Sequence, residues 1–441
     1  MLSPTAIDTT AAIDWYRRNR ARSEAIFDLI DPAAYYSRPI SLRNPIVFYE
    51  GHLPAFSVIA FLRRGLGRPP VDARLERLFE RGIDPESEAS AVPRSGAATT
   101  WPSREEVRAF ARACDEAILA AMASLPPGPV ALEGLYTALE HEAMHQETLL
   151  YMWHRLPYEQ KHRPVRSMSD NRYPMSDALS SQGVAATSAT VVIPAGDAVL
   201  GAERGAMPFG WDNEFDRHIV HVPTFDVDVL PVTNAQFLEF MNAGGYSDRS
   251  LWSEEGWSWI QADRVSHPAF WLPADTSDFG HRTSDIGSWR WRGMFASEPL
   301  GHRSPVYVSQ AEASAYARWK GRRLMTEPEF HRAAEGSTTG HFDFAGFDPI
   351  PVGLHPPSAA GVYDLVGNGW EWTSTVFAPF DGFVPMASYP EYSADFFDGR
   401  HYVMKGASPA TAAELVRPSF RNWFRGNYPY VYAKFRTVGD R

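Results

Sequence analysis

The most constraining feature of this sequence is a change of residue pattern near its middle. Residues 10–155 carry apolar residues at helical spacing in long stretches, which predicts an antiparallel helical bundle. After residue 188 the pattern changes to short apolar runs, such as 191–196 and 218–222, separated by segments rich in Gly, Pro and Trp. At 441 residues the chain is also too long for one ordinary core, so two domains are expected.

The expected fold class is therefore a two-domain chain, α followed by α+β. Residues 1–165 are predicted to form a four-helix bundle, residues 166–188 a linker, and residues 189–441 an α+β domain with much irregular chain. Ser103 followed by Glu106 has the spacing of a capping box and marks one helix start. Helices are predicted at 15–30, 52–64, 103–125 and 131–154 in the bundle, and at 309–321 and after 326 in the second half.

Composition excludes several classes of protein. The 42 basic and 53 acidic residues give a net charge of -11 without long charged blocks, so we expect no nucleic-acid partner. No uninterrupted apolar run approaches ~18 residues and the start lacks a signal peptide, so we expect no membrane span and a cytoplasmic location. The single cysteine, Cys114, rules out an intrachain disulfide and is expected to be a small buried apolar side chain.

A candidate metal site lies in the fourth predicted helix. His141 and His145 are four residues apart in a stretch without Pro or Gly, so both imidazoles share one helix face. His52, in another predicted helix, can supply a third ligand across the bundle. Three imidazoles leave positions open on a non-haem Fe(II) that must bind a substrate and O₂, although zinc accepts the same ligands. The alternatives are a zinc protease with Glu142 as general base, and a histidine pair satisfied within the core.

Together these features form a recognisable pattern. The chain resembles the iron-dependent sulfoxide synthases of ergothioneine biosynthesis, with a DinB-like bundle and a formylglycine-generating-enzyme-like, C-type-lectin-related second domain (the sulfatase-modifying factor fold). True formylglycine-generating enzymes use cysteine chemistry in this domain, and residues 115–441 contain no cysteine, so that activity is excluded. The motifs that carry the resemblance are His52 with 141–147 in the first half, and 305–309, 321–330, 367–372 and 420–423 in the second.

The resemblance implies Fe(II), O₂ as co-substrate, and bond formation between a chalcogen and C2 of the imidazole of hercynine. A tyrosine donates a proton in the family, and the matching stretch contains Tyr389, which we favour, and Tyr392. Asn422 and Trp423 match the segment that contacts hercynine, and an indole suits a trimethylammonium group through cation–π attraction. Each of these side chains has a plain structural alternative, such as ring packing or a turn contact. Met144 stands where family members can carry a glutamine.

The sequence departs from the family at positions that bind the carboxylates of γ-glutamylcysteine. Phe424 and Tyr428 replace charged residues, and the loop before the third bundle helix offers Arg94 and Trp101. Aromatic faces suit a sugar, so we predict a selenosugar co-substrate, as in selenoneine synthases. Arg425 can still bind a carboxylate, which keeps the alternative of an ergothioneine-pathway enzyme using γ-glutamylcysteine or cysteine. A non-catalytic protein that binds a betaine or a sugar is the third hypothesis.

Overall fold

The computed structural model describes residues 8–80, 100–126, 128–164, 189–274 and 285–441. They divide into two compact units. The first unit comprises the described residues of Met1–Val165 together with Arg204–Asp212 and Val384–Tyr392, and the second unit comprises the rest. Two short segments that follow the predicted linker, Arg204–Asp212 and Val384–Tyr392, thus belong to the helical unit. The predicted linker at 166–188 lies outside the described residues, as does Arg94.

The first unit is helical. Its helices are α1 (Thr9–Phe27), α2 (Ile46–Ser57), a π-helix (Val58–Gly65), α3 (Ala73–Phe79), α4 (Arg104–Met122) and α5 (Pro129–Arg155). Asp8 caps α1 by accepting from the amides of Thr10 and Ala11. Ser103 caps α4 through the amide of Glu106, whose carboxylate pairs with Arg74. The short helix α3 was not predicted, because its seven residues are too few for a periodic signal.

The second helix differs most from its prediction. It begins at Ile46 rather than at His52, so His52 lies in the middle of α2 instead of at its start. Pro54 lies inside the helix, and the chain continues without a break into the π-helix. The stretch Ile46–Gly65 is long and apolar enough to cross a membrane by composition, and 94% of its most apolar window is buried inside the protein.

Helix α5 runs through the first unit and packs against α1, α2 and the π-helix. Its approach to the π-helix depends on glycine, because a Cβ on Gly134 would lie 2.5 Å from the carbonyl oxygen of Ala60 and 3.2 Å from Gly65 Cα. On the α1 side, the Asn19 amide donates to the Leu139 carbonyl at 2.8 Å. Cys114 of α4 is buried, as predicted, and burial raises the pKa of its thiol.

The second unit is α+β. Its strands are β1 (Thr190–Ile193), β2 (Gly196–Leu200), β3 (His218–Val222), β4 (Phe225–Asp228), β5 (Trp271–Pro273), β6 (Trp289–Arg292), β7 (Ser297–Pro299), β8 (Arg323–Leu324), β9 (Gly369–Val376), β10 (His401–Ala407), β11 (Asn422–Arg425), β12 (Ala433–Lys434) and β13 (Thr437–Asp440). Its helices are α6 (Asn234–Asn242), α7 (Glu254–Ala262), α8 (Gln310–Trp319) and α9 (Glu327–Ala333). The run 191–196, predicted as one strand, is split at Pro194, which cannot donate to a ladder.

The strands form small sheets. One has the order β1-β4-β13-β8 and another the order β11-β10-β9-β12, in which only the β9–β12 pairing is parallel. β2 pairs with β3, and β5, β6 and β7 form a third antiparallel sheet. The buried Glu371 accepts from Arg436 Nε at 2.9 Å and lies 3.3 Å from Lys434 Nζ, which anchors β9 to the C-terminal strands. Burial alone would raise the pKa of Glu371, but these two cations hold it below the usual value.

Candidate metal centre

Three histidines meet in the first unit. Each of His52, His141 and His145 offers one ring nitrogen to a cluster in which these atoms all lie within 4.8 Å of one another. His141 Nε2 and His145 Nε2 are 3.1 Å apart. His52 and His141 are buried, and His145 retains part of its accessible surface. Helix α5 supplies two of the rings through the i, i+4 spacing, and α2 supplies the third.

The protonation states of the three imidazoles suit the binding of a metal cation. His52 Nδ1 lies 2.7 Å from the Phe79 carbonyl oxygen, which fixes Nδ1 as the protonated nitrogen and leaves the Nε2 lone pair for a metal. Removal from water lowers the pKa of His52 to about 4, although that hydrogen bond opposes the shift. The pKa values of His141 and His145 also fall well below the usual value, first through burial and then through the neighbouring rings. All three imidazoles are therefore neutral near pH 7, the form that binds metals.

The spacing of the nitrogens also fits one ion. Two metal–nitrogen bonds of about 2.1 Å at a right angle set their nitrogens about 3.0 Å apart, whereas a tetrahedral angle sets them about 3.4 Å apart. The observed 3.1 Å between the two Nε2 atoms of α5 is close to the first value. Among the described residues, the Nδ1 atoms of His141 and His145 are buried without a hydrogen-bond partner. The polar interactions of these rings therefore converge on Nε2.

Aromatic rings enclose the cluster. Phe56 stacks on His141 with ring centroids 3.4 Å apart, and Phe48 stacks on His52 at 5.0 Å. Tyr49 lies 5.8 Å from His145. Both phenylalanines are 4% exposed, so two of the three imidazoles have an apolar wall. A wall of this kind keeps bulk water from the nitrogens and strengthens any charge interaction inside the site.

The segment Val384–Tyr392 brings both candidate tyrosines to this centre. The Tyr389 ring lies 4.9 Å from Phe56 and 6.0 Å from His141, and Tyr389 is partly exposed. Tyr392 is buried, stacks on Trp211 at 3.9 Å, and places its hydroxyl 3.4 Å from Met144 Sδ. The two rings therefore differ in access: Tyr389 borders the histidine cluster, and Tyr392 is packed behind it.

Trp101 is also in the first unit, in an aromatic cluster on the outer side of His52. Its ring lies 6.2 Å from Phe79 in a stacked arrangement and 6.4 Å from Phe48. The carbonyl oxygen of Phe79 accepts the hydrogen bond from His52 Nδ1. In this arrangement Trp101 supports the residues behind His52. These contacts are those of an aromatic residue that packs in the interior, which is the alternative to a role in substrate binding.

The other predicted site residues lie in the second unit, on β11 and the turn after it. Successive strand residues point to opposite faces, so Asn422 and Phe424 share one face and Trp423 and Arg425 share the other. Trp423 stacks on Phe377 at 4.1 Å with 7° between the rings, and Phe424 stacks on Tyr428 at 5.1 Å. Asn422 Oδ1 accepts from the Trp423 amide at 2.9 Å, which is the local backbone contact considered as its structural alternative.

Comparisons with known proteins match both units. A model described as the DinB superfamily matches residues 16–149, and a model described as the sulfatase-modifying factor enzyme 1-like domain matches residues 175–350 and 345–441. Proteins named hercynine oxygenase from Mycolicibacterium thermoresistibile and Mycolicibacterium smegmatis are 31% and 32% identical to this chain. These alignments cover 96% and 93% of this chain and 93% and 94% of those proteins. The chain belongs to the hercynine oxygenase family.

The fold prediction is thereby confirmed: a helical DinB domain precedes a sulfatase-modifying-factor-like domain. A protein named formylglycine-generating enzyme from Mycobacterium tuberculosis is 30% identical over 57% of this chain and 97% of its own length. The sulfatase-modifying-factor-like match covers residues 175–441, which contain no cysteine, since the only one in the sequence is Cys114. This member of the hercynine oxygenase family therefore lacks the cysteine that such chemistry would need in that domain.

The zinc-protease alternative does not fit the geometry. Glu142 would have to reach the metal to act as a general base, but its carboxylate faces α1. Glu142 Oε1 accepts from Ser23 Oγ at 2.7 Å and pairs with Arg20 Nη1 at 3.0 Å. These contacts engage the Glu142 carboxylate with α1 and not with the histidine cluster. In this hercynine oxygenase family member, Glu142 ties α5 to α1.

Sequence reasoning missed two residues that contact the site. Phe56 lies one turn after His52 on α2, so the i, i+4 rule could have identified its position beside the ligands. Trp211 comes from the segment Arg204–Asp212, stacks on Tyr392, and donates through Nε1 to Glu140 Oε2 at 2.8 Å. No local pattern marks Trp211, because its partners are far away in the sequence.

Proposed function

We propose that this protein is a hercynine oxygenase that uses Fe(II) and O₂ to join hercynine to a thiol. The observation that carries the proposal is the three-histidine cluster in a chain that matches proteins of that name over nearly its whole length. In the reaction, the C2–H bond of the imidazole and the S–H bond break, and a C–S bond forms. One oxygen atom of O₂ ends on sulfur as the sulfoxide and the other leaves as water, so atoms and electrons balance.

The cluster supplies the ligands for the iron. His52, His141 and His145 would hold it through neutral imidazoles, with His52 oriented by the Phe79 carbonyl oxygen. Fe(II) held there with open positions would lower the cost of deprotonating a thiol and would supply a site for O₂. Phe56, stacked on His141, limits the access of water to the histidine cluster.

Tyr389 is the proposed proton donor. Its ring borders the histidine cluster and is partly exposed, so its hydroxyl can meet a substrate. Tyr392 is the weaker candidate, because it is buried against Trp211 and its hydroxyl contacts Met144. Proton donation at this point would quench negative charge that develops on oxygen during the reaction.

Hercynine binding is assigned to β11. Trp423, with its ring stacked on Phe377, offers an aromatic surface for the trimethylammonium group. Asn422 can add an amide contact to the imidazole or the carboxylate, although its Oδ1 already accepts from the Trp423 amide.

The co-substrate has a second candidate, a selenosugar, with formation of a C–Se bond leading to selenoneine. It is favoured by the stacked pair of Phe424 and Tyr428, two aromatic side chains where the family carries charged ones. Arg425 lies on the same strand and could bind the carboxylate of a thiol co-substrate. Trp101 packs against other aromatic rings, including Phe79. The names of the relatives support the thiol reaction better than the selenium reaction.

The test is reconstitution with Fe(II) and mass spectrometry of the products. Purified protein would be incubated aerobically with hercynine and, separately, with γ-glutamylcysteine, cysteine or a selenosugar. A sulfoxide that depends on iron and is lost in His145→Ala supports the thiol reaction, and selenoneine formed only from the selenosugar supports the second candidate. Protein with one iron per chain and no product from any of the three would refute the proposal.

A binding protein for betaines or sugars predicts a different result. In that case the triple variant His52→Ala, His141→Ala and His145→Ala would bind hercynine as well as the unchanged protein does. Calorimetric titration of both proteins with hercynine makes the comparison. Membership of the hercynine oxygenase family and the neutral, converging histidines favour the enzyme.

A further inference from the structure

The segment that carries Tyr389 is fixed to the helices at the residue directly before it. The geometry points to a positioning role for this contact: Ser388, bound by three bundle side chains, sets the place of the Tyr389 hydroxyl at the histidine cluster. These side chains are Arg64, Glu133 and Thr137, and with Ser388 they form what we call the Ser388 clamp. The role of Tyr389 rests on the proposed function, whereas the clamp contacts do not.

Every polar group of Ser388 has a partner in the clamp. Its backbone N–H and its hydroxyl both donate to Glu133 Oε1, each at 2.8 Å. Because this uses the hydroxyl proton, Thr137 Oγ1 is the donor in its 2.8 Å contact with Ser388 Oγ. Arg64 Nη1 donates to the Ser388 carbonyl oxygen at 2.9 Å. Ser388 is 4% exposed, so a lost partner would leave a buried polar group unsatisfied.

The clamp and the metal ligands share one face of α5. Glu133, Thr137 and His141 are spaced by four residues, so they follow one another along the same side of the helix. Four residues of α-helix rise about 6 Å, which puts the Thr137 contact one turn before His141. Tyr389 follows Ser388 directly, and its ring reaches His141 and Phe56. One rigid element therefore fixes both the ligand and the segment that carries the candidate proton donor.

The π-helix completes the clamp from the other side. Arg64, near its end, holds the Ser388 carbonyl oxygen and lies 3.8 Å from the carboxylate of Glu391. The close backbone approach at Gly134 fixes the distance between the π-helix and α5, and so between Arg64 and Glu133. Arg64 thus contacts the segment both before Tyr389, at Ser388, and after it, at Glu391. Without these contacts, a partly exposed tyrosine ring on an irregular segment would sample several positions.

The position of the Tyr389 hydroxyl matters because a proton donor must lie within hydrogen-bond distance of the group that it protonates. A shift of about 1 Å in a reacting group can cost about 100-fold in rate. Loss of the clamp should therefore slow the chemical step without removing the iron or the hercynine contacts. Ser388 and Thr137 are positioning residues in this account, since they act through Tyr389 and are not assigned any contact with substrate.

The experiment compares Ser388→Ala and Thr137→Val in the full-length, iron-loaded protein. We expect unchanged iron per chain, a nearly unchanged KM for hercynine, and a kcat lower by about 10- to 100-fold. We also expect more O₂ consumed per product. Thr137→Ser, which keeps the hydroxyl, should restore kcat. Ser124→Ala is the control, because Ser124 is exposed just after α4 and its hydroxyl donates to the Ala120 carbonyl oxygen, away from the clamp.

A readout that needs no turnover separates the clamp from the proposed function. With 3-fluorotyrosine at position 389, the fluorine NMR signal should be a single line in the otherwise unchanged protein and in Ser124→Ala. It should broaden, split or shift in Ser388→Ala and Thr137→Val. An identical signal in all four proteins would overturn the clamp even if the enzyme is active. Changed signals in a protein without hercynine activity would retain the clamp as a positioning contact and refute the proposed function alone.

Discussion

Acid should destabilise the metal-free protein through His52, and the size of the effect follows from its burial. The ring is 4% exposed and its pKa is lowered from 6.5 to about 4, so the folded chain prefers the neutral imidazole. Below pH 6.5 the unfolded chain binds a proton at this residue that the folded chain does not. The stability contributed by neutral His52 is therefore present above pH 6.5 and is lost as the pH falls towards about 4.

The magnitude follows from the shift. At about 1.4 kcal/mol per pKa unit, a displacement from 6.5 to about 4 corresponds to about 3.5 kcal/mol in the free energy of unfolding. About 2.5 kcal/mol of this should be lost on going from about pH 7 to about pH 4.5. The assay is urea unfolding of chelator-treated protein, followed by far-ultraviolet circular dichroism, which reports the helices of the first unit. The comparison protein is His52→Asn, whose amide can still donate to the Phe79 carbonyl oxygen.

The difference between the two proteins reports His52 together with its charge coupling to His141 and His145, because the carboxylates are present in both. Unchanged protein should lose about 2.5 kcal/mol more than His52→Asn over this range. Equal losses in the two proteins would mean that His52 titrates normally. In that case the ring would be hydrated, and the neutral three-histidine centre would have to be abandoned as the resting state at low pH.

Three further predictions concern the same unit. His145→Ala should reduce bound iron from one per chain towards none, measured by elemental analysis, while the helical circular dichroism signal stays unchanged. Tyr389→Phe should lower the rate of product formation by about 100-fold or more, and Tyr392→Phe by much less, measured by mass spectrometry. Arg20→Ala should cost about 3–5 kcal/mol in urea unfolding, because it leaves the buried carboxylate of Glu142 without its cation, whereas a second change of Glu142→Gln should recover part of the loss.

Helical periodicity predicted what is local in this protein. The pairing of His141 with His145, the position of α5 and the burial of Cys114 all follow from spacing along one helix. The predicted start of α2 at His52 was wrong, since the helix begins at Ile46. A buried, mostly apolar helix has no polar face to show its limits, so its ends are hard to locate from periodicity.

Contacts between distant parts of the chain could not be predicted in this way. Ser388 and Thr137 are 251 residues apart, and no repeating pattern connects a serine on an irregular segment with a threonine on a helix. The same holds for Trp211, which meets Glu140 across 71 residues. The family resemblance located the tyrosine segment, but it did not indicate that two stretches beyond residue 188 pack in the helical unit.

The side of α5 that faces α1 and the side that carries the histidines together explain how one helix can orient two metal ligands. On one side, Glu142 and Gln146 bind α1 through Ser23, which fixes the rotation of the helix about its own axis. A rotation of one residue position would turn the histidine face by about 100°. Because those polar contacts are buried, such a rotation would leave several of them unpaired, which is costly in the low-dielectric interior. The orientation of His141 and His145 is therefore set by packing on the neighbouring side of the helix that faces α1, and it should persist when the metal is removed.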